Sequence, residues 1–338
     1  MRKYRKREHI ESFLRSSFVG NTLFEDVFLP HNSLPECDFD EIDTSTKFLN
    51  KKIDFPLMIN AMTGGSEFTE DINRQLSEIA REFNIPMAVG SQTITLEDED
   101  SIESFKIVRE IMGDSGLVLG NLSGRASLKD VKFAVDMLKA DGIQIHLNPA
   151  QELAMEEGER SFKGILSNIE EIVKGSEVPV IVKEVGFGMS REVARKLYSV
   201  GVRHIDVSGF GGTNFMEVEN LRRPENDLSE LYSWGIPTAL SLLSIKNLNL
   251  KNLSLISSGG IKNSIDLVKS LVLGADMVAM SGEILSYLIH GGYEYTMEYL
   301  ENIIYKTKII MLLTGSKNVE ELKNLPFTIS GTLKELSK

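Results

Sequence analysis

The chain has 338 residues, 42% of them hydrophobic and 25% charged, a composition that supports a large core and a length that fills two average domains or one α/β barrel. Its formal net charge of −12 disfavours non-specific nucleic-acid binding, which needs a positive footprint. A single cysteine, Cys37, excludes an intramolecular disulfide framework, and there is neither an apolar signal segment behind the charged start nor an apolar run of about 18 residues; a cytoplasmic protein with no membrane partner is expected.

The chain opens on a basic stretch holding Arg2, Lys3, Arg5, Lys6 and Arg7, which taken alone reads as a solvated tail. Short β-rich runs follow at 56–60, 86–90, 117–121, 143–147, 179–185, 203–208, 254–258 and 276–281. Helical periodicity lies between most of them. In 70–83 it places Ile72, Leu76, Ile79, Ala80 and Phe83 on one face; in 127–138 it follows a Ser-x-x-Asp cap and groups Val131, Ala134, Val135 and Leu138. Segments 190–197 and 264–273 repeat the pattern, and 293–313 reads as a closing helix. Strands alternating with helices mean βαβ units and a parallel sheet. Eight units point to a closed (β/α)8 TIM barrel of class α/β, with an open doubly wound sheet as the alternative. The expected organisation is one domain, 1–338, with residues 1–55 as an N-terminal extension. Segments 148–163 and 209–250 are longer than a crossover needs, and both begin at strand ends, where barrel active sites sit.

Polar residues and glycines recur where the runs end. The seventh and eighth runs end in Ser258-Gly259-Gly260 and Met280-Ser281-Gly282. Either alone is an ordinary turn; as a pair after strands seven and eight they suggest backbone N–H groups cradling a phosphate. Lys183 lies late in an apolar run, where an unpaired cation is costly, so it should meet an anion or a ligand. Pairing with Glu184 is disfavoured because adjacent strand residues point to opposite faces. His146 also ends an apolar run. A lone histidine of this kind is usually a satisfied core residue, but Asn148, Gln151 and Glu152 follow closely and favour a polar site. Glu152 alone makes no metal cage, although one carboxylate plus substrate phosphates is a common way to hold Mg²⁺. No Walker A or Gly-x-Gly-x-x-Gly fingerprint is present.

In order along the chain stand RKREH (5–9), NAMTGG (60–65), AVGS (88–91), HLNPAQE (146–152), VKEVGFGMS (182–190), DVSGFGGTNF (206–215) and SSGG (257–260). This series resembles the flavin-dependent, type 2 isopentenyl-diphosphate isomerases. The resemblance implies an FMN-binding barrel that assembles into tetramers or octamers. It implies interconversion of isopentenyl and dimethylallyl diphosphate with reduced FMN as acid and base, Mg²⁺ on the diphosphate, and NADPH as reductant. Carried onto this chain, it places Ala61, Met62, Thr63, Ser91 and Asn121 around the flavin ring. Lys183 faces that ring, and Ser208 and Thr213 lie towards the ribityl and phosphate end. Gly260, Ile261, Lys262, Ser281 and Gly282 form the phosphate cradle. Arg5, Lys6, His9, Ser91, His146 and Asn148 meet the substrate diphosphate, Gln151 lies beside the isoprenoid, and Glu152 holds Mg²⁺. Gln151, His146 and Lys183 are the catalytic candidates. Two positions depart from the pattern: relatives often carry arginine where Gly282 stands, and arginine or another long polar residue where Gln92 stands.

Two other readings compete. An FMN-dependent α-hydroxy-acid oxidase or dehydrogenase should show a histidine and arginine late in the barrel, yet the sixth-to-seventh-strand segment holds Arg222 and Arg223 without histidine. An inosine-monophosphate-dehydrogenase-like barrel needs a loop cysteine, and Cys37 precedes the first barrel run. A non-catalytic phosphate-ligand-binding barrel is the non-enzyme alternative.

Overall fold

A computed structural model describes the backbone of residues 2–338 and the side chains from Lys6 onward. Eight strands close into a parallel barrel. They are β1 (Leu57–Ile59), β2 (Met87–Ala88), β3 (Val118–Ser123), β4 (Gly142–His146), β5 (Val180–Lys183), β6 (His204–Asp206), β7 (Ser254–Ser257) and β8 (Met277–Met280). The ring closes where Val278 pairs with Leu57. Each expected run overlaps one strand, with β3 running two residues past its run and β4 starting one residue earlier, and the closed ring removes the open-sheet alternative.

The helices are α1 (Arg2–Arg15), α2 (Glu67–Glu82), α3 (Glu103–Met112), α4 (Leu128–Leu138), α5 (Pro149–Ala154) and α6 (Ile165–Gly175). They continue with α7 (Arg191–Ser199), α8 (Phe215–Arg222), α9 (Thr238–Lys246), α10 (Ser264–Val272) and α11 (Gly282–Thr314), and two short C-terminal helices follow. The Ser127–Asp130 capping box starts α4 as expected. Helix α2 begins three residues before its expected start, because Ser66 and Thr69 form a second capping box there. The expected closing helix 293–313 is the second half of α11. Gly292, at φ 79° and ψ −175°, breaks the helix between its two halves.

Strand alternation sorts the barrel's side chains. One parity packs against the helices in the main core, which includes Leu57, Ile59, Val118, Ile143, Val182 and Ile205. The other parity fills the lumen. Its lower part is apolar and holds Met58, Ala88, Leu119, Ile181, Ile256, Met277 and Ala279. Above it the same parity becomes polar: Asn60, Gln144 and Asp206, then Asn121, His146 and Lys183.

The segment before β1 contributes at both ends of the barrel. Thr46–Phe48 and Lys51–Ile53 form an antiparallel hairpin. Its turn residues Leu49 and Asn50 both adopt positive φ, the two-residue geometry that suits a twisted hairpin. Phe48 and Ile53 pack into the apolar lumen cluster, so the hairpin plugs the N-terminal end of the barrel. At that end Asp141 Oδ1 meets Lys51 Nζ at 2.7 Å, and its Oδ2 meets Arg109 at 2.8 Å. Arg109 also donates to the carbonyls of Gly113, Gly116, Leu138 and Lys139. Removing this guanidinium leaves several carbonyls without their donor and takes one of two cations from Asp141, which keeps Lys51 and the Val118 N–H. We expect Arg109→Met to lower unfolding stability by on the order of 3 kcal/mol. Chemical denaturation checks this, and an unchanged midpoint contradicts it.

Candidate functional site

The C-terminal ends of the strands, roofed by α1 and the segment after it, enclose a cavity of about 780 Å³, a size that suits a cofactor or other small ligand. Arg5 has no described side chain. Every other expected site residue lines this cavity.

At one end of the cavity the loops after β6 and β7 meet backbone to backbone. A methyl group on Gly212 would lie 2.5 Å from Gly260 N, and one on Gly260, at φ +76°, would lie 2.4 Å from Gly211 O. Only glycine permits that approach. Gly260, Ile261 and Lys262 follow on from this contact. Ser281 precedes α11 without a side-chain bond to its first turn, so the first N–H groups of that helix, beginning at Gly282, remain donors beside the cavity. Ser208 and Thr213 stand on the neighbouring loop. Ser208 holds a left-handed conformation at φ 36°, with its N–H donating to Asp206 Oδ1 at 3.2 Å.

Lys183 is buried at the end of β5 and reaches the cavity. Its Nζ donates to the main-chain oxygen of Glu184 at 2.7 Å, not to that residue's carboxylate. Burial pulls its pKa down, against the opposing pull of Asp206 and then Glu184. The Glu184 carboxylate turns away and accepts from the N–H groups of Val185, Gly186 and Phe187 at 2.7, 2.8 and 2.6 Å. Burial pushes its pKa up to about 7, although these donors and Lys183 resist. Across the cavity Ala61, Met62 and Thr63 follow β1. Thr63 Oγ1 is buried without a protein partner, a cost that a ligand polar atom would relieve.

His146 ends β4 with Nδ1 2.9 Å from Asn121 Oδ1. Burial, then Lys183 and Lys6, push its pKa down to about 3, so the ring is neutral at physiological pH. Beyond it Asn148 Nδ2 donates to Gln151 Oε1 at 3.1 Å and to Glu152 Oε1 at 3.0 Å. Glu152 Oε2 accepts from Glu159 N at 2.8 Å. Among the described residues no three histidine, cysteine or acidic side chains gather in a metal-ligand cluster. A cation at Glu152 would therefore need ligand oxygens to complete its shell.

The roof is tied down by residues that the sequence motifs do not single out. Glu217 of α8 accepts from Ser17 N at 2.8 Å and Phe18 N at 3.1 Å. Glu219 Oε1 lies 2.9 Å from His9 Nε2 and also accepts from Gln151 Nε2 at 3.4 Å. Arg222 pairs with Glu219, with Glu8 at 3.1 Å and with Glu157 at 3.2 Å. Burial alone would raise the Glu219 pKa, but His9 and Arg222 hold it below the ordinary value. Lys6 Nζ reaches Ser91 O at 3.5 Å, and Ser91 Oγ lies 2.9 Å from Thr93 Oγ1. Three further buried lumen residues have no role in the sequence reading: Asn60 and Asp206 open two of the quoted motifs, and Gln144 lies outside them. Their signal is a polar residue at lumen parity, in or just after a strand.

The FMN-dependent dehydrogenase family model matches residues 126–327. The isopentenyl-diphosphate delta-isomerase of Listeria innocua is 44% identical over 98% of this chain and 93% of its own length. That of Bacillus licheniformis is 44% identical over 98% and 94%. The chain belongs to the isopentenyl-diphosphate delta-isomerase family. Among solved structures, a lactate oxidase of Pediococcus acidilactici matches with a TM-score of 0.69 at 15% identity, over 96% of this chain and 87% of that one. A mandelate oxidase with (S)-mandelic acid gives 0.69 at 16% identity, over 96% and 95%. At such identities the likeness concerns the fold.

Both departures from the isopentenyl-diphosphate isomerase pattern have structural explanations. A methyl on Gly282 would lie 2.6 Å from the Phe13 ring, so α1 fills the space that a long side chain would need. Gln92 is fully buried. It donates to Ala134 O at 3.1 Å and accepts from Asn121 N at 2.8 Å, bracing β3 from outside the cavity.

Glu217→Ala should free the Ser17 and Phe18 N–H groups and loosen the roof. Cleavage at residues 1–20 by limited proteolysis should rise by roughly tenfold or more, corresponding to about 1.4 kcal/mol of local opening. Unchanged cleavage would show that the carboxylate does not hold the segment.

Proposed function

We propose that this chain interconverts isopentenyl and dimethylallyl diphosphate, with FMN held at the barrel mouth. The observation that carries the reading is one cavity combining a glycine-built N–H cradle, a buried lysine and a roof that brings Lys6 and His9 over them. FMN fits this donor set. Its phosphate would take the N–H groups at Gly260, Ile261, Lys262, Ser281 and Gly282, with Ser208 and Thr213 on the ribityl side. Its ring would lie against Ala61, Met62, Thr63, Ser91 and Asn121, and Thr63 Oγ1 would gain the partner it lacks within the protein. Bound and reduced, the flavin supplies the acid and base needed to move a carbon–carbon double bond.

The chain's own residues bind and orient. Lys183 would offer its remaining ammonium hydrogens to the reduced flavin and stabilise its negative charge. Arg5, Lys6, His9 and Ser91 receive the diphosphate, with His146 and Asn148 completing the substrate wall and Gln151 beside the isoprenoid. Glu152 would help hold Mg²⁺ for the diphosphate, and the roof would exclude water from the cationic character that develops at C3. NADPH serves as reductant, and a self-associating enzyme of the cytoplasm is the accompanying expectation. No helix among the described residues is long and apolar enough to cross a membrane.

The hydroxy-acid-oxidase reading finds no support at the mouth. Late in the chain, His204 sits at the start of β6 against the plugging Phe48, and His290 bonds Ser286 on the exposed side of α11. Arg222 is already held by three carboxylates.

The test is anaerobic turnover of isopentenyl diphosphate with FMN, NADPH and Mg²⁺; failure to form dimethylallyl diphosphate would overturn the reading. Lys183→Ala should lower flavin retention or turnover, and Glu152→Gln should raise the Mg²⁺ concentration needed for half-maximal rate. Unchanged kinetics in both variants would remove these two assignments. Gly212→Ala, whose methyl crowds Gly260 N, should weaken FMN binding by roughly tenfold or more, as read by flavin fluorescence titration. Equal affinity would place the phosphate elsewhere.

A further inference from the structure

Five polar side chains form a continuous line across the barrel lumen. His146 Nδ1 lies 2.9 Å from Asn121 Oδ1. Asn121 Nδ2 lies 2.9 Å from Gln144 Oε1, Gln144 Nε2 lies 2.8 Å from Asn60 Oδ1, and Asn60 Nδ2 lies 2.8 Å from Asp206 Oδ2. The path runs from β4 to β3, back to β4, across to the end of β1, and on to β6. Asn121, Gln144, Asn60 and Asp206 are all buried. Each amide has one oxygen and one NH₂, so the direction of one link dictates the next.

The starting direction is set by the backbone. Ala61 N–H lies 2.9 Å from Asn60 Oδ1, and a main-chain N–H can only donate. That atom of Asn60 is therefore its oxygen, and its NH₂ faces Asp206. Asp206 suits this end of the line, since its other oxygen accepts from Ser258 Oγ at 2.6 Å and Ser208 N at 3.2 Å. With Asn60 fixed, Gln144 must turn its NH₂ to Asn60 and its oxygen to Asn121. Asn121 must then turn its NH₂ to Gln144, which leaves only its oxygen facing His146. The imidazole has to supply the proton there.

We propose that this one-way hydrogen-bond line fixes His146 as the tautomer protonated on Nδ1, so that Nε2 meets the ligand as a hydrogen-bond acceptor. Asn60, Gln144 and Asp206 are then positioning residues for a histidine that none of them bonds directly. The neutral state of the buried ring agrees with this geometry. The consequence for substrate rests on the isomerase reading: His146 takes a donor, such as a phosphate hydroxyl or an ordered water, and does not clamp a bare phosphate oxygen. Lys6 and the rest of the roof are left to meet the anionic charge.

The tautomer itself can be read without turnover. In the full-length protein as purified, labelled with ¹⁵N-histidine, long-range ¹H–¹⁵N spectra distinguish pyrrole-type from pyridine-type ring nitrogens. The loss of one spin system in His146→Gln assigns the residue. The expected wild-type pattern is pyrrole-type Nδ1 and pyridine-type Nε2 at neutral pH. Gln144→Leu cuts the line and lets Asn121 turn, so the single tautomer should give way to a mixture or to the Nε2–H form. Gln144→Glu keeps an acceptor opposite Asn121 and should retain the wild-type tautomer. A wild-type ring protonated on Nε2, or on both nitrogens, overturns the proposal whether or not any variant folds. Gln144→Leu with a wild-type ring pattern overturns the role of the line. Because no substrate or reductant is present, absence of isomerase activity would leave these outcomes intact and would count against the functional reading alone.

Discussion

A polar side chain facing the lumen of a closed barrel has no route to water through the sheet, and here the hairpin blocks the way from below. Each such group must find a partner inside the ring or at the mouth. The chain meets this constraint by stacking its polar lumen residues in a connected layer above an apolar floor. Asp206 gathers Asn60, Ser258 and the Ser208 N–H, and Lys183 stands opposite Asp206 in the strand register. The boundary between dry floor and polar layer sets where a ligand can rest. The residues that support the cavity and those that line it are therefore successive positions on the same strands.

Much of this architecture is legible in the sequence. Strands covered on both faces are short apolar runs, and they stand out between amphipathic helices. The cap signal at Ser127 and the glycine-bearing turns after the last two strands are local, so they survive into the structure unchanged. Asn60, Gln144 and Asp206 are harder to read. Nothing local marks them off from other polar residues of their runs, and their importance comes from partners on other strands: Asn60 and Asp206 are 146 positions apart. The plug and the roof are equally non-local. Nothing in the basic opening residues announces that α8 will hold the following segment through Glu217 and Glu219.

The glycines of the mouth have two functions that sequence alone does not separate. Gly212 and Gly260 let two loops touch through their backbones, which is a packing requirement. The same two residues line the cavity, so the contact also shapes its wall. Gly282 shows the exchange in another form. Lacking a side chain, it admits Phe13, so an aromatic ring from α1 occupies the space above the cradle.

The hairpin at 46–53 carries a kinetic consequence. It precedes every barrel strand in the chain, yet its two buried residues pack only on a lumen assembled from strands that end near residue 280. The seam that completes this lumen joins Val278 to Leu57, a pairing of large sequence separation, which is the kind that slows folding. The apolar floor that Phe48 and Ile53 cover is complete only with that seam in place. The hairpin is local in sequence, yet the surface it seals is among the least local in the chain.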